Sequence, residues 1–93
     1  MPQRRYLVSG RVQGVGFRWF VEHEARRIGV NGTVRNLDSG EVETFASGSD
    51  EQLAELRRAL ERGPKAARVD RVDEHETDFD FSRYTGFSIQ GAW

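Results

Sequence analysis

The stretch with the most chemical content is Gly10-Arg11-Val12-Gln13-Gly14-Val15-Gly16-Phe17-Arg18. Its spacing predicts the end of a strand, a loop with two close glycines, and then the first turn of a helix. A helix N-terminus leaves backbone N–H groups unpaired and carries partial positive charge, so it attracts anions. Gly14 and Gly16 lack a Cβ, tolerate positive φ, and let a ligand come close to the backbone. The N–H groups of Val15, Gly16, Phe17 and Arg18 would then form a concave nest for phosphate oxygens. Arg18 adds a planar fork that grips two such oxygens at once. Taken alone the pattern is unspecific. Gly-x-Gly before a helix is often a plain turn, and this one lacks both the Gly-Lys-Ser/Thr of a nucleotide P-loop and the third glycine of a dinucleotide fingerprint.

The other chemistry-bearing residues form no competing site. There is no cysteine, which excludes thiol nucleophiles, disulfides and cysteine-held zinc. His23 falls about 240° around its helix from Phe17, off the apolar arc, and reads as solvated. His75, among Asp73, Glu74, Glu76 and Asp78, reads as part of an acidic exposed strand end rather than a metal site. Ser9 before Gly10 lacks the leading glycine of a nucleophile elbow. Trp19 lies off the apolar helical face, either at a site edge or half exposed. Arg35 is expected on the strand face opposite Asn36, outside the site.

The elements that must position these residues are readable in turn. Tyr6 to Val12 reads as a first strand. From Phe17 the period becomes helical, with Phe17, Phe20, Val21, Ala25 and Ile28 in one arc and Gly29 as the cap. Thr33 to Leu37 and Val42 to Ala46 read as strands joined by a tight loop at Asp38-Ser39-Gly40. Ser49 and Gln52 form a capping box for a second helix, whose buried stripe is Leu53, Leu56 and Leu60. Gly63-Pro64 stops it. A strand from Arg68 to Glu76 and a short one from Gly86 to Gln90 finish the series. The order β-α-β-β-α-β with an extra C-terminal strand predicts an α+β ferredoxin-like sandwich, two helices on one face of a mainly antiparallel sheet.

At 93 residues the chain is expected to be a single domain, residues 1–93, and its 37% hydrophobic and 31% charged composition suits a globule. Fourteen basic and fifteen acidic residues give a net charge of −1, so no overall field draws it to nucleic acid or anionic lipid. Thirteen of the fourteen basic residues are arginine, a matter of genomic composition before function. No apolar run approaches a membrane span, and the Met1-Pro2-Gln3-Arg4-Arg5 start lacks an apolar signal region. The expectation is a cytoplasmic, monomeric protein without nucleic-acid or membrane partners.

One stretch, VSGRVQGVGFRWF from Val8 to Phe20, closely resembles the acylphosphatase family. The likeness continues through Gly32-Thr33-Val34-Arg35-Asn36, Asp38-Ser39-Gly40-Glu41-Val42-Glu43 and Gly48. It reaches Gly63-Pro64 with Ala67 to Val69, then Tyr84-Thr85-Gly86-Phe87-Ser88-Ile89, nearly the whole chain in order. What the resemblance implies is a hydrolase that cleaves acyl phosphates to a carboxylate and inorganic phosphate, with no metal and no cofactor. Inorganic phosphate would be product or inhibitor. By motif position, Arg18 would bind phosphate, Asn36 would orient the attacking water, and Gln13, Gly14, Val15, Gly16 and Phe17 would cradle the phosphate chiefly through backbone.

Such chemistry needs few groups. A carboxylate whose conjugate acid has a pKa of about 4 leaves without a proton, so no general acid is required. Phosphoryl transfer is loose, so the nucleophile needs positioning more than activation, and a neutral amide holds a water well enough.

Two rival classes share features with this chain. RNA-recognition motifs have the same element order, and Gly14 to Phe20 echoes their glycine-aromatic motif. Their aromatics lie on a strand, however, whereas these follow helical spacing. A phosphate-binding domain without turnover is the other rival, since acylphosphatase-like domains also begin large hydrogenase-maturation carbamoyltransferases. The absence of zinc-finger cysteines favours a free-standing enzyme.

Overall fold

The computed structural model describes residues 2–78 and 85–91; Tyr84, Ala92 and Trp93 lie outside the described residues. The elements are β1 (Gln3–Arg11), α1 (Phe17–Ile28), β2 (Asn31–Asn36), β3 (Val42–Ser47), α2 (Asp50–Arg62), β4 (Arg68–Glu76) and β5 (Phe87–Ile89). The five strands form one sheet in the order β4-β1-β3-β2-β5. Three of its pairings are antiparallel and β2–β5 is parallel. Both helices cover one face, giving the expected ferredoxin-like α+β sandwich.

Alternation along the strands selects that face. Tyr6 and Val8 on β1, Val34 on β2, and Val42 and Ala46 on β3 are fully buried. They meet Phe17, Val21 and Ala25 of α1 and Leu53, Leu56 and Leu60 of α2 in one apolar cluster. Tyr6 is the polar exception, and its hydroxyl donates to the Leu53 carbonyl at 3.3 Å. Burial pushes its pKa far up, so it stays a donor at any ordinary pH.

Several boundaries differ from the sequence expectation. β1 begins at Gln3 rather than Tyr6, because a strand paired on both sides recruits its charged residues into the ladder. Arg4 then bridges Glu74 at 3.3 Å, and Arg5 bridges Glu43 at 2.7 Å. β2 also begins earlier, at Asn31, and ends at Asn36 rather than Leu37. The ladder of β1 with β4 slips between Ser9 and Gly10. A Cβ at Gly10 would run into the Arg68 carbonyl, so only glycine permits this bulge and the exit of β1 toward the loop.

Two buried carboxylates were not legible in the sequence pattern. Glu43, 3% exposed, receives Arg5 on one oxygen and Arg35 at 2.6 Å on the other. Glu24 receives Arg27 at 3.1 Å and Arg62 at 3.2 Å, clamping α1 to α2. The Arg27 hydrogen bond, outweighing burial, holds the Glu24 carboxyl below its ordinary value. Among the described residues, no helix is long and apolar enough to cross a membrane.

Candidate functional site

The segment from Val12 to Phe17 is anchored at both ends in the core, where Val12 is 1% and Phe17 2% exposed. Between them Gly14 has φ 72° and Gly16 has φ 76°, the left-handed region that other residues disfavour. No atom lies within 4 Å of where a Cβ would stand on either glycine, so conformation rather than crowding demands them. Gly16 is also the N-cap of α1. It offers no side-chain acceptor, and the first turn holds no acidic residue. Among the described residues, then, no side chain caps this helix start, whose first N–H groups have no partner within the helix and carry its partial positive charge.

The expected residues gather here. Arg18, half-buried in the first turn of α1, reaches the Gln90 carbonyl through Nη1 at 3.4 Å. Asn36 ends β2 opposite Val42 of β3. Its Oδ1 is buried and has no hydrogen-bond partner. A buried acceptor left unpaired costs about 1–3 kcal/mol; among the described residues Thr44 Oγ1, fully buried on β3, is the other such atom.

Gln13 does more than contribute backbone. Its Nε2 donates to the Leu37 carbonyl at 2.8 Å and to the Glu41 carbonyl at 3.0 Å. The β2–β3 turn is thereby stitched to the glycine loop, fixing Asn36 relative to Gly14 and Gly16. The turn has its own lock, with the Leu37 N–H donating to the Glu41 carbonyl at 2.9 Å. Phe17 enters the site only through its backbone, since its ring belongs to the core.

Two cavities share Arg18 and Asn36 in their walls. One, of about 380 Å³, is lined also by Gln13, Leu37, Asp38, Gln90 and Gly91. The other, of about 100 Å³, is bounded by Gly14, Gly16 and Trp19 among others. A cleft of about 480 Å³ lies elsewhere, between Gln3, Arg4, Glu76, Thr77 and Asp78. Size alone would favour that cleft, but it has neither a helix N-terminus nor the orphaned acceptor, so chemistry decides for the smaller pair.

Leu37, Asp38, Gln90 and Gly91 join the walls without a sequence signal for it, and Trp19 joins them as one of its two expected placements. Trp19 had one signal, its position off the apolar arc; the structure puts it at the site edge and leaves it 75% exposed. Asp38 reads in sequence only as a turn residue, and Gln90 only as a strand end. Arg35 turns away to Glu43, and His23 and His75 are exposed. Among the described residues no group of three or more histidines and carboxylates is placed to hold a metal ion.

An anion at the open helix start would meet backbone donors and the Arg18 guanidinium, while Asn36 could hold a water beside it. Comparison with known proteins bears on which anion. A family model described as Acylphosphatase matches residues 4–89. An acylphosphatase of Koribacter versatilis (strain Ellin345) is 50% identical over 90 residues, covering 97% of this chain and 81% of that one. The crystal structure of acylphosphatase from Bacillus subtilis is similar with a TM-score of 0.91 at 37% identity, over 98% of this chain and 100% of that one. Full-length HypF, in its phosphate- and nucleotide-bound form, contains a similar region with a TM-score of 0.81 at 29% identity. That match covers 97% of this chain but 12% of HypF.

Proposed function

The chain belongs to the acylphosphatase family, and on that premise we propose that it hydrolyses acyl phosphates by direct attack of water, without a metal, as a single domain. The observation that carries this reading is the buried, unpartnered Oδ1 of Asn36 in walls shared with Arg18. The phosphoryl oxygens lie against the N–H groups of the Gln13 to Phe17 turn and the Arg18 fork. Asn36 Oδ1 accepts a hydrogen bond from a water, which engages its unpaired acceptor and aims a lone pair of the water oxygen at phosphorus.

The water oxygen bonds to phosphorus as the bond from phosphorus to the acyl oxygen breaks. The carboxylate departs with the electron pair, and the water's protons pass to phosphate and solvent. No proton need reach the leaving group, whose conjugate acid has a pKa of about 4. Charge spreading over the equatorial oxygens is met by donors already in place, which is where the rate gain arises.

The test is hydrolysis of acetyl phosphate in EDTA, with para-nitrophenyl phosphate as control. Rapid turnover of the anhydride and little action on the ester is the expected result. A folded protein that binds phosphate by calorimetry yet turns over no acyl phosphate would replace the enzyme with a binding domain.

A further inference from the structure

Among the described residues, Trp19 is the large apolar side chain left in solvent, 75% exposed. It follows Arg18 directly in the first turn of α1 and forms a wall of the about 100 Å³ cavity that also touches Gly14, Gly16 and Asn36. An indole there adds nothing to the core, which is closed by Phe17, Val21 and Ala25 on the other side of the same helix. It does present a flat apolar surface where the phosphoryl group would be held.

In-line displacement gives this position meaning. If the attacking water rests on Asn36 of β2, the acyl oxygen leaves on the far side of phosphorus. Trp19 reaches the same cavity from α1, a different wall. The larger cavity is unlike this one, because Asp38 brings a carboxylate into its wall beside Leu37 and Gln90. An acyl group carrying its own negative charge would be repelled there, whereas a neutral flat one would find the indole.

Resting on the acyl-phosphate reading above, we propose that Trp19 is a specificity-determining residue that receives the acyl group and favours aromatic acyl phosphates over small aliphatic ones. The contact is made in ground state and transition state alike, so its loss shows mainly in KM. An aromatic pair of this kind supplies about three- to tenfold in binding.

The experiment measures kcat/KM for benzoyl phosphate and for acetyl phosphate with the wild-type chain, Trp19→Ala and Trp19→Phe. The expected result is a benzoyl-to-acetyl ratio that falls about three- to tenfold in Trp19→Ala, through KM, and stays within about twofold of wild type in Trp19→Phe. An unchanged ratio in Trp19→Ala, including an equal loss on both substrates, overturns the proposal while leaving the hydrolase reading intact. So does a ratio that falls equally in both variants, since a phenyl ring retains most of the surface. A wild-type chain inactive on both benzoyl phosphate and acetyl phosphate overturns the hydrolase reading itself, and this assignment with it.

Discussion

The two helices are nearly the same length, twelve and thirteen residues, and begin in opposite ways. At α2 the Ser49 Oγ accepts from the Gln52 N–H at 3.1 Å, and Gln52 Oε1 accepts from the Ser49 N–H at 2.8 Å. Asp50 and Glu51 then face the positive end of the helix dipole. The capping box occupies the Gln52 N–H, and the two first-turn carboxylates oppose the approach of an anion. At α1 these devices are missing: a glycine caps it without a side-chain hydrogen bond, and no acid sits in its first turn. On the proposed reading, the stability forgone at one helix is what an anion restores on binding. A similar contrast separates neighbours on β2, where Arg35 is bound to Glu43 while Oδ1 of Asn36 has no partner.

The contrast is broken most severely at the polar groups kept for substrate. Asn36→Ala is expected to lower kcat by at least ~10²-fold with little change in fold, by analogy with a lost oxyanion-hole donor. Arg18→Lys should likewise fail to sustain turnover, because a point charge cannot reproduce the fork. Steady-state kinetics check both, and a kcat within a few-fold of wild type in either variant would falsify that residue's role. Gly16→Ala comes next. Forcing a Cβ into the left-handed region costs about 1–2 kcal/mol, and relief of that strain would turn the loop amides away from the anion. Roughly tenfold in kcat/KM should go with it; undiminished activity in a destabilised variant would mean the loop's shape serves folding alone.

At the other helix the effects should be on stability. Ser49→Ala is expected to cost about 1 kcal/mol in urea unfolding while leaving kcat and KM unchanged. A loss of activity there would show that the two helix starts are coupled. The smallest effect concerns the clamp between the helices. Because the Glu24 pKa is lowered in the folded protein, its contribution is fully present above the ordinary glutamate value and fades as pH falls through the lower folded one. Glu24→Gln should therefore make stability fall less between pH 7 and pH 3 than it does in the wild type. Urea midpoints at the two pH values decide it, and equal falls would remove Glu24 from the acid response.

Legibility in the sequence followed the range of the interaction. Ser49 with Gln52, Gly29 closing α1 through the Ala25 carbonyl, and Gly63-Pro64 ending α2 are settled by neighbours a few residues away. The strand Arg68–Glu76 was readable to its ends. By contrast, Arg4 and Arg5 gave no sign of belonging to β1, because their partners Glu74 and Glu43 are distant in the chain. The Gln13 side chain was unreadable for the same reason, since its acceptors lie 24 and 28 residues on.

By itself, then, the sequence determined the element order, the helix ends, and the glycine turn with Arg18 behind it, which are written in local spacing and residue chemistry and need no fold to be read. Asn36 came forward only through the family resemblance. Only the tertiary structure decided that the Asn36 carbonyl oxygen stays unpaired, that Gln13 ties its turn to the loop, and that Trp19, Asp38 and Gln90 stand around the same space. Burial and the absence of a partner belong to the whole packed chain, because every neighbour that might have filled the place must first be positioned.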